Sequence, residues 1–154
     1  MSEIWTPHLT VAAIIERQGD FLIVEEAPGG SPVFNQPAGH VEEHESLLEA
    51  IRREVREETQ RHFEPEAVCG IYRWRSPVNG ITYLRVAFCG SISEPDPQLQ
   101  RDGDIIADAW LSRAALLQRP LRSPLVLRCI DDYLAGTRMS LDLISELASA
   151  PQQN

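Results

Sequence analysis

Gly39-His40-Val41-Glu42-Glu43-His44-Glu45-Ser46-Leu47-Leu48-Glu49-Ala50-Ile51-Arg52-Arg53-Glu54-Val55-Arg56-Glu57-Glu58 is the stretch around which the rest of the chain arranges itself. Ser46 and Glu49 stand at capping-box spacing, and Leu47, Leu48, Ile51 and Val55 recur at helical intervals. A helix is therefore predicted from Ser46 to about Gln60. Glu54, Glu57 and Glu58 fall at i, i+3 and i+4, which gathers three carboxylates on one side of about one turn. At about 100° per residue, Glu58 lies between Leu47 and Ile51, at the edge of the apolar stripe, where a partly buried acid needs a counter-ion. The plainer reading is a solvated acidic face, since Glu is a good helix former. Against it, like charges at i, i+4 are mildly destabilising, Lys is absent from the helix, and Arg52, Arg53 and Arg56 lie mostly to other sides.

Working outward, Leu9 to Glu16 and Phe21 to Val24 read as two strands joined at Gln18-Gly19-Asp20, hence a hairpin. Pro28-Gly29-Gly30-Ser31-Pro32 breaks the chain. Phe34 to His40 then reads as a shaped, turn-rich loop in which Pro37 keeps Gln36 extended. Beyond the helix, Val68 to Trp74 and Ile81 to Phe88 are β-rich and separated by a turn at Pro77, Asn79 and Gly80, so a second hairpin is expected. Ile105 to Leu111 reads as a short strand, Ser112 as the cap of a brief helix through Leu117, and Ser123-Pro124 as the opening of a last helix to about Leu134. The C-terminal tail has no clear pattern. The order predicts a mixed α/β sandwich with helices covering a sheet.

The 154 residues are 43% hydrophobic, enough for one domain over residues 1–154 with a continuous core. A net charge of −9 excludes polymeric nucleic acid as the expected partner, because nothing here would neutralise a run of phosphates. Small polyanions stay within reach if divalent cations sit between them and the acids. Cys69, Cys89 and Cys129 are odd in number and widely spaced, which points to neither a disulfide framework nor a zinc site and to a reduced, cytoplasmic setting. The N-terminus has no basic segment followed by an apolar run, and no apolar run is long enough for a membrane span, so neither secretion nor membrane insertion is expected.

Reading from Gly39, five residues separate it from Glu45, and seven more lead to Arg53-Glu54-Val55-Arg56-Glu57-Glu58. That order and spacing resemble the signature of the Nudix hydrolase (MutT-like) family, matched at Gly39, Glu45, Arg53, Glu54, Val55, Glu57 and Glu58. The chain departs from it where Gln60 and Arg61 replace the family's Gly and aliphatic residue. Gln60 must then take a left-handed conformation, or the helix must run on toward His62 and Phe63, where Phe63 is a candidate for the missing apolar contact. Asn35-Gln36-Pro37-Ala38-Gly39-His40, the Leu121-Arg122-Ser123-Pro124-Leu125-Val126 stretch and the chain length further resemble a bacterial Nudix subgroup. Its members are phosphatases of thiamine-precursor diphosphates and nucleoside di- and triphosphates.

The resemblance implies a Nudix-type α/β/α sandwich and Mg²⁺ (Mn²⁺ as alternative) held by Glu54, Glu57, Glu58 and the Ala38 carbonyl. It also implies that Arg53 and Glu45 form an ion pair orienting the ligand carboxylates, against the alternative of an ordinary surface pair. A further acid on a loop before the late strand is expected among Asp102, Asp104 and Asp108. Asp104 stands nearest the family's position, although a solvated turn is the alternative there. Arg73, Trp74, Arg75, Tyr83 and Arg85 are the candidate substrate contacts, with Arg73 and Arg75 on one face of their hairpin and Trp74 on the other. Each could equally be a core aromatic or a surface arginine. His8 and His40 read as loop or strand-end residues, structural and not catalytic.

The implied activity is hydrolysis of a phosphoanhydride in a nucleoside di- or triphosphate or a pyrimidine/thiamine-type diphosphate, releasing phosphate. The alternatives are a pyrophosphatase of nucleoside-diphosphate sugars or dinucleoside polyphosphates, and a module that binds a nucleotide without cleaving it. The partner is a small-molecule phosphate compound, and the chain is expected to be a monomer or homodimer.

Overall fold

In the computed structural model, which describes residues 3–147, the apolar runs go where they can be covered on both sides. β1 (His8–Ile14) is buried throughout its Val11 to Ile14 half, as suits a central strand. It runs parallel to β7 (Thr82–Ile92), with His8 opposite Tyr83 and Ile14 opposite Cys89, and antiparallel to β5 (Ala38–His40). β6 (Phe63–Arg75) pairs antiparallel with β7 and closes a sheet of order β5-β1-β7-β6. The second sheet holds β2 (Glu16–Arg17), β3 (Asp20–Glu26) and β4 (Val33–Asn35) in that order, with β8 (Ile105–Ser112) also pairing with β3.

α1 (Leu47–Thr59) lays Ala50, Ile51 and Val55 on one face of the first sheet, against Val11, Ala13, Val68, Val86 and Phe88. α3 (Leu125–Leu134) lays Leu125, Cys129 and Ile130 on the other face, against Ile14, Cys69, Ala87 and Cys89. Full burial of a side chain such as Ile51 or Val55 contributes roughly 1.5–3 kcal/mol, so these contacts decide where each helix lies. The result is the expected mixed α/β sandwich. α2 (Arg113–Leu116) and a 3-10 turn (Leu141–Leu143) complete the described chain.

The second hairpin, the strand from Ile105 and the Ser112-capped helix stand as expected; the Ser112 hydroxyl accepts from the Ala115 N–H. The last helix begins at Leu125, and the Ser123 hydroxyl still accepts from its N–H. The first hairpin is a correction. Only Glu16 and Arg17 pair with β3, through a two-residue turn in which Gln18 and Gly19 both have positive φ. β1 leaves for the other sheet, because a run apolar on both faces is buried only in the middle of one. The turn-rich stretch before the helix also yields two short strands, β4 and β5. Cys69, Cys89 and Cys129 are free and buried, and no helix among the described residues is long and apolar enough to cross a membrane.

Candidate active site

α1 is set by its ends. The Ser46 hydroxyl accepts from the Glu49 N–H at 3.0 Å, the Glu49 carboxylate accepts from the Ser46 N–H at 2.8 Å, and the helix stops where Gln60 turns left-handed at φ 58°. Of the two outcomes open at Gln60, the chain takes the strained one, and Phe63 is buried in the core beneath α1.

Within α1, Arg53 organises the acids before the last turn. Its guanidinium donates to both oxygens of Glu45 (2.9 and 2.6 Å), to Glu54 (2.8 Å) and Glu57 (3.2 Å), and to the His40 carbonyl (2.9 Å). The two-pronged hydrogen bond from Arg53 holds the Glu45 carboxyl below its usual range. Glu54 is raised nonetheless, because burial outweighs the attraction of Arg53. Its carboxyl group lies on Gly39, where an added Cβ would come within 2.1 Å of it. Close approach of helix and strand is what this glycine allows.

Glu58 is 6% exposed, as its place on the helical wheel implied. Among the described residues, the only hydrogen bond to its carboxyl is accepted from the Ala38 N–H at 3.0 Å. Burial pushes its pKa up to about 9, with Glu54, Glu26 and Asp102 adding like charge. Glu58, which has no side-chain cation, together with Glu54, which shares Arg53, faces a strand that offers backbone carbonyls, and these oxygens form a hard donor set suited to a divalent ion. Among the described residues no three His, Cys, Asp or Glu side chains form a closed cage, and Glu57, 43% exposed at its side chain, is turned toward Arg53.

Beside β5, a cavity of about 590 Å³ opens along Ala38, Gly39 and His40. Trp74 and Tyr83 stack at 6.0 Å on one wall, and Arg85 rises from β7 with its guanidinium 3.1 Å from Gln36 Oε1. Arg85 is 6% exposed, and its Nε is buried without a hydrogen-bond partner among the described residues. Arg73 and Arg75 do not join them. The strand's alternation puts both in solvent, Arg73 over the Trp5 ring and Arg75 donating to the Gly80 carbonyl.

Asp104, the expected loop acid, is exposed in a turn where its N–H donates to Asp102. Asp102 is exposed as well, but its backbone N–H donates to the Glu57 carbonyl at 2.7 Å, which ties this turn to α1. Asp108 is committed to Arg101 and Arg61.

Three contributors escaped the sequence reading. Glu26, Asn35 and Arg122 all line the cavity. Burial raises the Glu26 carboxyl, Arg122 lies 3.1 Å from it, and Glu26 Oε1 still lacks a hydrogen-bond donor. A signal for Asn35 and Arg122 was present, since they belong to the two stretches that carried the subgroup resemblance. Those stretches meet here. Phe34 bridges to Leu121, and the Gln36 side chain donates to the Val126 carbonyl at 2.7 Å.

A family model described as a NUDIX domain matches residues 6–129. The chain is 38% identical over 141 residues to proteins named phosphatase NudJ from Escherichia coli K12 and from Shigella flexneri, covering 91% of this chain and 92% of theirs. Among solved structures, a NUDIX hydrolase from Nitrosomonas europaea superposes with a TM-score of 0.87 at 45% identity, over 92% of this chain and 98% of that one.

Proposed function

The chain belongs to the Nudix hydrolase family, and from that premise we propose that it releases phosphate from a nucleoside di- or triphosphate or a pyrimidine/thiamine-type diphosphate, with Mg²⁺ as its ion. Nudix hydrolases use divalent metal and act on small-molecule phosphate compounds. The observation that carries the reading is the position of β5: Ala38 and Gly39 meet the Glu58 and Glu54 carboxyls and also line the cavity. A diphosphate placed at Ala38 to His40 would have its anhydride at the acids and its ring in the cavity. The name phosphatase carried by the NudJ relatives supports phosphate release over the pyrophosphatase alternative.

Glu54, Glu57 and Glu58 with the Ala38 carbonyl would hold the ion. When bound, it supplies neutralisation of the diphosphate charge and Lewis acidity toward water. The chain's own work is positional. Arg53 fixes the orientation of Glu54 and Glu57, and Glu45 fixes Arg53. Trp74 and Tyr83 offer a flat apolar surface to a heterocycle, and Arg85 and Arg122 offer guanidinium donors. Asp102 is the loop acid assigned to the acid row in place of Asp104.

The test is phosphate release from a thiamine-precursor diphosphate, nucleoside di- and triphosphates and ADP-ribose, the last followed by phosphatase treatment. It is run with Mg²⁺, Mn²⁺ or EDTA, on wild type and Glu57→Gln. EDTA-sensitive turnover that drops at least about 10²-fold in the variant is the expected result. Full activity in Glu57→Gln would remove the mechanism, and preference for ADP-ribose would move the chain to the pyrophosphatases.

A further inference from the structure

Gln60 and Arg61 are the two positions at which this chain departs from the Nudix signature, and both turn to the same loop. We infer that they are positioning residues, which clamp residues 93–104 onto the C-terminal end of α1 and thereby hold Asp102 beside the helix acids. The kinetic half of this inference rests on the hydrolase reading above; the structural half does not.

Gln60 makes three links at once. Its N–H closes the helix on the Arg56 carbonyl at 2.9 Å, its carbonyl accepts from the Asp96 N–H at 2.7 Å, and its side-chain amide donates to the Leu99 carbonyl at 2.5 Å. Glycine would satisfy the left-handed cap without strain but has no amide to offer. The strained Gln60 is explained by the contact that only its side chain can make.

Arg61 grips the loop at its two roots. Its guanidinium donates to the Ser93 carbonyl at 3.2 Å, where β7 ends, and lies 3.8 Å from Asp108, where β8 has begun. It also lies over the Trp110 ring, and its side chain is only 8% exposed. An aliphatic residue could pack on Trp110 but could not bind a carbonyl and a carboxylate. Between these anchors the loop is folded on itself by Leu99 N–H to Asp96 and by Ile105 N–H to Asp102, and it delivers the Asp102 N–H to Glu57. Nothing else on α1 donates a side-chain hydrogen bond to the loop among the described residues.

The experiment compares wild type with Gln60→Gly and Gln60→Asn. Both replacements tolerate a left-handed backbone, and neither reaches Leu99, so loss of the amide is separated from glycine's flexibility. Hydrogen exchange of the metal-free protein is read residue by residue, and kinetics are run with Mg²⁺ and the best-hydrolysed compound of the panel above. The Asp96, Leu99 and Asp102 amides are expected to exchange at least about tenfold faster in both variants, with the amides of α1 unchanged and the melting temperature held or raised. kcat is expected to fall roughly tenfold with KM little changed, the mark of misplacement and not of lost binding. Unchanged exchange in the loop would overturn the clamp whatever the activity. A loosened loop with full kcat would overturn its bearing on Asp102. If wild type hydrolyses none of the panel, the hydrolase reading falls and the exchange result still decides the clamp.

Discussion

Two successive turns of α1 carry acids under opposite regimes. Around Arg53, each carboxylate has a guanidinium hydrogen bond, and Glu45 is bound so well that it is held in its ionised form. One turn later, Glu58 is more deeply buried, has one backbone N–H for company and favours its protonated form up to a pH near 9. Helix propensity cannot explain the contrast, since both turns are built from Glu and Arg. Side-chain compensation stops at Glu58, which carries a charge at neutral pH only if a cation from outside the chain balances it. A buried carboxyl of this kind costs stability unless it is paired.

That contrast can be broken or sharpened by substitution. The largest effect is expected from Gly39→Ala, whose methyl group would occupy the place of the Glu54 carboxyl. The flexible side chain can move aside, so the melting temperature should change little. Displacement of about 1 Å at a reacting centre should still lower kcat on the order of 10²-fold. Activity equal to wild type would show that Glu54 need not lie where it does.

Arg53→Lys tests the compensated turn. A lysine keeps the charge but cannot hold Glu45 with two prongs while reaching Glu54 and Glu57. Mg²⁺ affinity by titration calorimetry should weaken about 10- to 100-fold, the usual range for groups that orient ligands. An unchanged affinity would make Arg53 an ordinary surface cation.

The smallest effect concerns pH. In EDTA the folded protein keeps a proton on Glu58 up to about pH 9, whereas the unfolded chain releases it near the ordinary value of 4.5. Folding therefore takes up a proton between those limits. The stability that Glu58 contributes is fully present at the acidic end and is lost as pH rises through its folded value. Glu58→Gln should flatten the decline in melting temperature between about pH 6 and 9 by at least roughly 3 °C. A parallel decline in both proteins would mean that Glu58 ionises normally.

Much of this was legible before any coordinates, for identifiable reasons. Ser46, Glu49 and the Leu47-to-Val55 stripe are local signals, and the helical wheel alone placed Glu58 at the buried edge. The second hairpin has its turn between its strands. What stayed hidden depends on partners far away in the chain. The periodicity of β1 tells that it is buried on both faces but not that its neighbour is β7. Glu26 and Arg122 stand 96 positions apart by their numbers, and only the bridge of Phe34 to Leu121 brings them together. Asp102 and Asp104 share one turn, and which of them is tied to the helix depends on a single backbone hydrogen bond, from the Asp102 N–H to the Glu57 carbonyl.

The pairing of β1 with β7 also has a consequence for the order in which the molecule assembles. His8 finds Tyr83, and the apolar stripe of α1 finds Val68, Val86 and Phe88, only after both later strands exist. During synthesis, then, the acid-bearing helix emerges well before the β6 and β7 part of the surface that will hold it. Local hairpins can close early, but the sheet that orients the acids requires closure of a long loop, which slows folding. The acid-bearing turn is thus among the last parts to take shape, and a nascent chain shorter than about residue 92 has the signature acids but an incomplete sheet to present them.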